Sequence, residues 1–475
     1  LGSDLFAILW TGGELVGLNA SGRAPAAWHP QRFAGREKMH ERGWETVTIP
    51  GAVSGWRALS QRFGELPFAD LFEPAIRYAR DGFAVSPVVA EKWALAVPHM
   101  PKDLGWFEHF MPRGRAPAPG ETWSSAALAA TLEKIATTDG EAFYRGELAE
   151  KMVAHSQASN GAHALADFAG HTCEWVTPLG LDYRGVTVHE IPPNGQGISA
   201  LMALGILSNF DLASQPVDSA AVQHLEIEAM KLAFADAYRY VSDPDTMSVP
   251  ASSLLDRNYL AMRAREIDPL RAQRMGPGQP PQGGTVYLCA ADQDGMMVSL
   301  IQSNYMGFGS GVVVPGTGIS LQNRGAGFTL EPGHANLFAG GKRPFHTIIP
   351  GFLTDAAGPR MAFGVMGGDM QPQGHAQIIV NMVDFGMGVQ EAGDAARWHH
   401  MGSSEPTGEK ADGVGTLELE SGVPEATRAE LEKRGYKLAP GSGGFGGYQA
   451  IMRDPETGVY WGASESRKDG AAIGY

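Results

Sequence analysis

Cysteine is nearly absent from this chain of 475 residues, since only Cys173 and Cys289 are present. Two thiols cannot build the disulfide framework on which small secreted domains depend. Both stand among small or apolar neighbours, so we predict that they are buried and reduced. This expectation favours the cytoplasm and leaves the periplasm as the alternative. The sequence also lacks an initiator methionine and opens at Leu1 as a strand already under way, which predicts residues before it.

Long apolar runs and an excess of positive charge are lacking as well. No apolar run approaches the roughly 18 residues of a membrane-spanning helix, so no membrane partner is expected. The formal net charge of −15 at pH 7 argues against a nucleic-acid partner, which would require a basic face. No HExxH or CxxC motif occurs, and His224, His346 and the pair His399-His400 lack the spacing of metal ligands. We therefore expect no metal and no cofactor, and a small molecule as substrate.

Glycine is what the sequence has in excess, with 62 residues of 475. These glycines are scattered through apolar stretches, which indicates a fold with many tight turns. The length predicts two subdomains or one large layered domain. Helical periodicity follows Ser219 and recurs near residues 373–384, while short strands are expected at residues 347–353 and 361–365. We predict an α+β fold with stacked sheets and outer helices.

The hydrophobic periodicity of the sequence is lost at residues 266–284, and this segment divides the chain into two regions. This segment has no periodicity and carries four prolines, so we predict an exposed, extended linker. A β-hairpin follows at once, with apolar residues 286–291, the turn Asp292-Gln-Asp-Gly295 and the returning residues 296–303. The division gives a large region, residues 1–284, incomplete at its N-terminus, and a small region, residues 285–475.

The junction Gly283-Gly284-Thr285 joins that linker to the start of the hairpin. Glycine before a hydroxyl residue allows strained dihedrals and leaves the Gly284 carbonyl open to attack by the Thr285 hydroxyl. Cleavage there would free an α-amine with an ordinary pKa of about 7.7–8.0, which can act as general base for its own hydroxyl. Gly284–Thr285 is therefore a candidate autocleavage site. The simpler interpretation is that Thr285 begins a strand, where β-branched residues are favoured.

Two glycine clusters admit more than one interpretation. The apolar strand at residues 361–365 is followed by the pair Gly367-Gly368, whose adjacent N–H groups suit an oxyanion hole and suit close packing equally well. The run Gly307-Phe-Gly-Ser-Gly311 resembles half a phosphate loop. No helix-opening pattern follows it, so we assign it to a tight turn.

Motifs along nearly the whole chain resemble those of the γ-glutamyltranspeptidase family. In the large region they are Ile49-Pro-Gly-Ala-Val-Ser-Gly-Trp56, Pro74-Ala-Ile-Arg-Tyr-Ala-Arg-Asp-Gly-Phe-Ala-Val85, Ala142-Phe-Tyr-Arg-Gly146, Asp182-Tyr-Arg-Gly185, Pro192-Pro-Asn-Gly-Gln-Gly197 and Glu228-Ala-Met-Lys-Leu-Ala-Phe-Ala-Asp236. The resemblance implies the four-layer αββα sandwich of N-terminal nucleophile hydrolases. It also implies that Thr285 is the catalytic nucleophile, that Ser303 steadies it, and that Gly367 and Gly368 form the oxyanion hole.

The sequence departs from that family where the family holds the amino-acid head of its substrate. Tyr305 stands where an asparagine is usual, and Gly327 stands where an aspartate usually holds the substrate α-amino group. Lys342-Arg343 replaces paired serines that usually hold the α-carboxylate. The pattern is similar to the divergent, γ-glutamyltranspeptidase-like or cephalosporin-acylase-like branch. Besides Tyr305, the residues that could contact a substrate carboxylate are the cations Arg23, Arg324, Lys342 and Arg343.

Three functions are compatible with this sequence. The first is hydrolysis or transfer of γ-glutamyl groups from glutathione-like donors through a threonine acyl-enzyme, with water, an amino acid or a peptide as acceptor. The second is acylase action on glutaryl or other dicarboxylic side-chain amides, which the loss of the aspartate at Gly327 favours. The third is a weakly active or non-catalytic binding protein. The resemblance implies a heterodimer of large and small subunits from one precursor, with room for further homo-oligomerisation.

Overall fold

The computed structural model describes residues 1–275, 284–403, 414–441 and 443–474. Helices and strands are mixed along these residues, which confirms the predicted α+β class. The strands are Asp4–Trp10 (β1), Leu15–Ala20 (β2), Phe83–Ala84 (β3), Thr122–Trp123 (β4), Glu174–Val176 (β5), Leu179–Tyr183 (β6), Val186–Glu190 (β7), Gly284–Ala291 (β8), Met297–Tyr305 (β9), Val313–Val314 (β10), Ile319–Ser320 (β11), Gly351–Asp355 (β12), Gly358–Met366 (β13), Trp398–Met401 (β14), Thr416–Leu419 (β15), Lys437–Ala439 (β16), Gly447–Arg453 (β17) and Tyr460–Ser464 (β18). The α-helices are Ala52–Phe63 (α1), Glu73–Asp81 (α2), Pro87–Ala96 (α3), Trp106–Phe110 (α4), Ala126–Thr137 (α5), Glu141–Arg145 (α6), Glu147–Ala158 (α7), Leu165–Ala169 (α8), Gly197–Leu207 (α9), Ala220–Tyr240 (α10), Ala251–Leu254 (α11), Arg257–Ala264 (α12), Met370–Val383 (α13), Val389–Asp394 (α14) and Glu425–Lys433 (α15).

One sheet has five antiparallel strands in the order β5-β2-β1-β9-β8. Side chains along β1 alternate between the two faces of this sheet. Leu5, Ala7 and Leu9 pack on its outer face beside helix α1. Phe6 and Ile8 pack on its inner face. Both faces of β1 are therefore buried, which explains why its sequence is a nearly continuous apolar run.

A second sheet has six antiparallel strands in the order β18-β17-β13-β12-β7-β6. Its inner face packs on the first sheet through a cluster that includes Phe6, Tyr287, Phe352 and Ala362. Its outer face is covered by α9, α10 and α13. Helix α9 is buried on every side, as expected for a helix that is apolar all round. The sheet that carries Thr285 is thus held against a second, helix-backed sheet.

Two local predictions are confirmed in detail. The Ser219 hydroxyl caps α10 by accepting the N–H of Val222, as the sequence predicts for a helix that begins there. Strands β8 and β9 form the predicted hairpin around the turn at residues 292–296. Residues 307–311 form the expected tight turn, in which all three glycines have a positive φ.

Two expectations from the sequence were wrong in part, and a third falls on residues that the structure does not describe. The strand expected at residues 347–353 begins only at Gly351, because the Ile349 N–H donates to the Gln371 side chain and not to a neighbouring strand. Cys173 and Cys289 are free thiols, but each is half-buried and not fully buried. Residues 276–283 of the predicted linker lie outside the described residues.

Candidate active site

Thr285 and Ser303 lie side by side on two neighbouring strands of the first sheet. Thr285 on β8 pairs directly with Ser303 on β9. Opposed residues of antiparallel strands project to the same face, here the inner face that Tyr287 and Ile301 also occupy. Thr285 Oγ1 donates to Ser303 Oγ at 3.0 Å, and the two residues are 6% and 3% exposed. The hydroxyl predicted to be the nucleophile is held in one orientation by the hydroxyl predicted to steady it.

A β-bulge lies next to this pair. Gly284 pairs with Tyr305 while Thr285 pairs with Ser303, so Asn304 has no counterpart on β8. Tyr305 has a φ of 77°, a left-handed conformation that costs a non-glycine residue about 1–3 kcal/mol. In this conformation its N–H donates to Ser303 Oγ at 2.8 Å. The bulge therefore positions Ser303 Oγ as an acceptor beside the Thr285 hydroxyl.

The side chain of Arg324 lies over the buried ring of Tyr305. Its guanidinium carbon is 4.7 Å from the ring centroid, and the residue is 1% exposed. Nη1 donates to Thr347 Oγ1 at 2.8 Å, whereas Nε and Nη2 have no hydrogen-bond partner among the described residues. Burial lowers the pKa of Arg324 to about 10. It is therefore a cation at neutral pH with two nitrogens that have no hydrogen-bond partner among the described residues.

Hydrogen bonds connect the predicted pair Gly367-Gly368 to the surroundings of Arg324. Gln196 Nε2 donates to the carbonyl of Thr347 at 2.7 Å and to the carbonyl of Gly368 at 2.8 Å. Gly367 and Gly368 follow β13 with φ values of 136° and 65°, a backbone conformation that favours glycine. Within the described residues, neither of their N–H groups donates to a backbone carbonyl. The pair thus keeps two N–H groups available and is connected to Arg324 through Gln196 and Thr347.

Two buried groups beside this site are missing from the residues that the sequence predicts. Asp4, the first residue of β1, pairs with Ser303 from the side away from β8 and is fully buried. His346 Nε2 donates to Asp4 Oδ2 at 3.1 Å. Burial raises the pKa of Asp4 to about 6, against the opposing effect of the Arg324 charge. A signal was present in the sequence, because Asp4 falls on the strand face that Phe6 occupies and so interrupts an apolar pattern.

The other three predicted cations are engaged elsewhere. Arg23 and Arg343 bind carboxylates, and the Lys342 ammonium binds backbone carbonyls. The contacts are Arg23 Nη1 to Asp243 Oδ2 at 2.7 Å, Arg343 Nη2 to Glu174 Oε1 at 2.9 Å, and Lys342 Nζ to the carbonyl oxygens of Ala335 and Leu337 at 2.5 and 2.9 Å. A role for these three residues in substrate binding stays a prediction. The contacts favour Arg324 among the four cations.

Hydroxyl, guanidinium and backbone groups make up this site. Among the residues that the structure describes, no group of three or more His, Cys, Asp or Glu side chains is arranged to hold a metal ion. No helix within the described ranges is both long and apolar enough to cross a membrane.

The fold and these residues define the class of protein. Residues 1–475 match the sequence profile of gamma-glutamyltranspeptidase, and the chain belongs to that family. It is therefore an enzyme of the gamma-glutamyltransferase and glutathione hydrolase type.

Individual relatives show which members it resembles. It is 35% identical to the glutathione hydrolase-like YwrD proenzyme of Bacillus subtilis (strain 168) over 460 residues, 96% of this chain and 86% of that protein. It is 36% identical to the oxamate amidohydrolase proenzyme of Klebsiella pneumoniae over 487 residues, 100% of this chain and 90% of that protein. The crystal structure of cephalosporin acylase from Bacillus halodurans is similar with a TM-score of 0.92 and 46% identity, over 100% of this chain and 88% of that one. These matches confirm the resemblance to glutathione hydrolase-like and acylase members of the family.

Proposed function

We propose that this chain is a proenzyme that cuts itself between Gly284 and Thr285 and then hydrolyses amides whose acyl group carries a carboxylate. One observation carries the proposal: the buried Thr285–Ser303 hydroxyl pair is connected through Tyr305 to Arg324, a cation with two nitrogens that lack a partner among the described residues. The proenzyme names of the two sequence relatives support the cut. It gives a large subunit, residues 1–284, and a small subunit, residues 285–475.

The proposed architecture is the four-layer αββα sandwich of N-terminal nucleophile hydrolases. Its support is the order of the packed layers, which runs from α1 through the first sheet and the second sheet to α9, α10 and α13. In such a sandwich the nucleophile lies at the start of a strand and faces the boundary between the two sheets. Thr285 occupies that place, since its side chain projects from β8 toward the second sheet.

Self-cleavage would start from the hydroxyl of Thr285. Its Oγ attacks the Gly284 carbonyl carbon, the C–N bond breaks, and an ester joins Gly284 to the threonine oxygen. Water then hydrolyses this ester, which leaves a carboxylate on Gly284 and a free α-amine on Thr285. Ser303 supports the attack because its oxygen accepts the Thr285 hydroxyl and aligns it. Before the cut the nitrogen is an amide, so no base is present and the chain is inert.

Substrate hydrolysis would use the same hydroxyl with its new base. The Thr285 α-amine takes the hydroxyl proton as Oγ attacks the substrate amide carbon, and the same proton leaves with the departing amine. The N–H groups of Gly367 and Gly368 are proposed to hold the oxyanion, since glycine pairs without side chains let an oxygen approach closely. Water hydrolyses the acyl-enzyme and restores Thr285. Transfer to an amino acid or peptide would follow the same path with an amine in place of water.

Arg324 suggests which acyl group the site takes. A planar guanidinium with two N–H groups to spare binds a carboxylate in two places. Gly327 stands where the family's aspartate is usual, so a substrate α-ammonium would lack that partner, and a buried ammonium without one costs several kcal/mol. Glutaryl and other dicarboxylic half-amides therefore fit best. Oxamate, for which the Klebsiella pneumoniae relative is named, likewise has a carboxylate and no ammonium group.

Hydrolysis or transfer of γ-glutamyl groups is the second candidate. Membership of the gamma-glutamyltranspeptidase family favours it, as does the name of the Bacillus subtilis relative. A γ-glutamyl group also has a carboxylate for Arg324. The two candidates differ in one atom group, the α-ammonium, so a matched pair of substrates separates them.

The cut is tested on a denaturing gel and by N-terminal sequencing. Expressed protein should give two fragments, the smaller of which should begin Thr-Val-Tyr-Leu. Thr285→Ala should remove both cleavage and turnover, because one hydroxyl performs both attacks, and Thr285→Ser should keep part of each. Cleavage of the Thr285→Ala chain at the same bond would mean that an outside protease makes the cut. An intact chain that hydrolyses amides would also overturn the proposal.

Substrate choice is tested with glutaryl-p-nitroanilide, γ-glutamyl-p-nitroanilide and neutral butyryl-p-nitroanilide. We expect the glutaryl compound to be hydrolysed at least as well as the γ-glutamyl one, and the neutral compound to have a far higher KM. A preference of about a hundredfold for γ-glutamyl, or about 2.7 kcal/mol, would show that another acid holds the amine. An equal KM for the neutral compound would remove Arg324 from the proposed mechanism.

A further inference from the structure

Asp4 is a fully buried carboxylate in the same cross-strand row as the proposed nucleophile. It pairs with Ser303 across β1 and β9, and Ser303 pairs with Thr285 across β9 and β8. All three side chains therefore project to the inner face of the first sheet. A buried carboxylate is costly unless it is hydrogen-bonded and its charge is balanced. The contacts of Asp4 show how both conditions are met.

The hydrogen bonds around Asp4 identify the protonation state of its neighbour His346. Asp4 Oδ1 accepts the N–H of Gly51 at 3.0 Å, and Oδ2 accepts His346 Nε2 at 3.1 Å. The other ring nitrogen, His346 Nδ1, accepts the N–H of Ile348 at 3.4 Å. The proton of His346 is therefore on Nε2, and the ring is neutral. Burial and the charges of Arg324 and Arg343 hold the pKa of His346 well below its usual range, so it adds no charge.

Arg324 supplies the balancing charge from a distance. It favours the ionised form of Asp4, and Asp4 in turn favours the charged form of Arg324. Among the described residues, the buried Nε and Nη2 of Arg324 have no hydrogen-bond partner. Arg343 acts on Asp4 more weakly and is itself bound to Glu174. Tyr144 stays neutral, because burial raises its pKa and the charge of Asp4 raises it further.

A substrate carboxylate on Arg324 would change this balance. One guanidinium would then face two buried carboxylates, those of the substrate and of Asp4. When like charges share a buried site, one of them takes up a proton. The substrate carboxylate would be bound by two N–H groups of Arg324, whereas Asp4 accepts only neutral donors and is the easier of the two to protonate.

We propose that Asp4 is a positioning residue that balances Arg324 in the empty site and takes up one proton from solvent when a substrate carboxylate binds. The inference rests on the proposed function, because it requires Arg324 to bind that carboxylate. Its consequence is that KM for a carboxylate substrate depends on pH separately from kcat. The direction is fixed by linkage: binding is favoured where Asp4 is already protonated and weakens as the pH rises above its pKa.

Wild-type enzyme provides the first test. KM for glutaryl-p-nitroanilide should rise about tenfold between pH 7 and pH 8, the effect of about one linked proton. KM for butyryl-p-nitroanilide should change less than about twofold over the same range. Ionisation of the Thr285 amine affects both compounds equally, so the difference between their KM profiles isolates the carboxylate. Parallel profiles, with the glutaryl compound still the better substrate, would overturn the role of Asp4 and leave the proposed function intact.

Asp4→Asn provides the second test, because Asn resembles the protonated acid in size and charge. It should make KM for glutaryl-p-nitroanilide low and independent of pH, as expected when the linked ionisation is removed. Glu174→Gln, which removes the carboxylate beside Arg343, should keep the wild-type pH dependence. An Asp4→Asn enzyme with the wild-type KM profile would contradict the proposal.

Calorimetry decides the matter if Asp4→Asn does not fold or cut itself. Glutarate is titrated into wild-type enzyme at pH 7 in two buffers that differ in ionisation enthalpy. About one proton should be taken up per glutarate bound, and none per molecule of neutral glutaramide. Glutarate binding without proton uptake would overturn the inference.

Discussion

Two buried charge clusters in this molecule differ in how completely their polar atoms are used. Against the second sheet, Glu228 Oε1 accepts Lys231 Nζ at 2.7 Å and Tyr436 Oη at 2.8 Å. Lys231 Nζ also donates to the Gln273 carbonyl at 2.5 Å. Beside Thr285, Arg324 is as deeply buried, but two of its nitrogens have no partner among the described residues. The first cluster is satisfied within the fold, whereas the second is incomplete among the described residues, and we propose that a substrate carboxylate completes it.

The largest loss of stability is expected when the cation of the first cluster is removed. Lys231→Met leaves Glu228 buried without its cation, and such a loss costs about 3–5 kcal/mol. The free energy of unfolding in urea measures this loss. The double variant Glu228→Gln/Lys231→Met removes both charges and should regain most of it. Turnover per cleaved molecule should stay near the wild-type value in both variants, so a specific loss of turnover would refute the separation of the two clusters.

Arg324→Met tests the incomplete cluster and should show the opposite pattern. At pH 5, where Asp4 is protonated once Arg324 no longer opposes the effect of burial on its pKa, the free energy of unfolding should change by less than about 1 kcal/mol, because no uncompensated buried charge is left. kcat/KM for glutaryl-p-nitroanilide should fall about a hundredfold, or about 2.7 kcal/mol, while butyryl-p-nitroanilide is unaffected. Arg324→Lys should recover only part, since an ammonium cannot bind a carboxylate in two places. Equal losses for both substrates would point to a structural role.

A third prediction concerns pH on the helix side of the second sheet. Burial raises the pKa of Glu226 to about 8, and Trp398 Nε1 donates to it at 2.8 Å. Because the carboxyl is harder to ionise when folded, its contribution is present at acid pH and is lost as the pH rises from about 4.5 to 8. The slope is at most about 1.4 kcal/mol per pH unit.

Glu226→Gln should remove that slope. Melting temperatures of the two proteins should differ little at pH 5 and should favour the variant at pH 8 and above. The exposed residue Glu14 provides the control, since Glu14→Gln should keep the wild-type pH dependence. Identical pH profiles for Glu226→Gln and wild type would show that the carboxyl ionises freely in the folded protein.

The smallest expected effect is a change in substrate preference on substitution of Gly327. Gly327→Asp should raise the ratio of kcat/KM for γ-glutamyl-p-nitroanilide over glutaryl-p-nitroanilide about tenfold, or about 1.4 kcal/mol, because it supplies an acid for the α-ammonium. A Cβ at this position lies 3.0 Å from the Phe345 carbonyl oxygen, so the fit is tight. Gly327→Ala adds the same carbon without charge and should leave the ratio unchanged. A fall in the ratio for Gly327→Asp would place the amine elsewhere.

The sequence predicts well those features of the site that depend on neighbouring residues. It predicts poorly the contacts between residues that are distant in sequence. Thr285, the hairpin and the Gly367-Gly368 pair are marked by neighbouring residues, because turn chemistry and strand alternation act over a few positions. Arg324 is among four predicted cations, and only its packing on Tyr305 distinguishes it from Arg23, Lys342 and Arg343, which have other partners.

Asp4 and Gln196 were missed for a different reason. Asp4 meets His346 across 342 positions of sequence, and Gln196 reaches Gly368 across 172 positions. No local pattern encodes such contacts, since the pairing of distant strands brings them together. Asp4 could have been noticed only as an acid within an apolar strand.

The strand order has a consequence for what a cut between Gly284 and Thr285 would leave behind. In the first sheet, β1 from the larger piece pairs with β9 from the smaller piece over seven residue pairs. In the second sheet, β7 from the larger piece pairs with β12 from the smaller piece over four. The larger fragment alone would hold three strands of the first sheet and two of the second, and the smaller fragment would hold two and four. Both would have open sheet edges, a state prone to aggregation. The two products would therefore travel as one particle until denatured, and co-expressed halves should reconstitute the enzyme where halves folded separately would not.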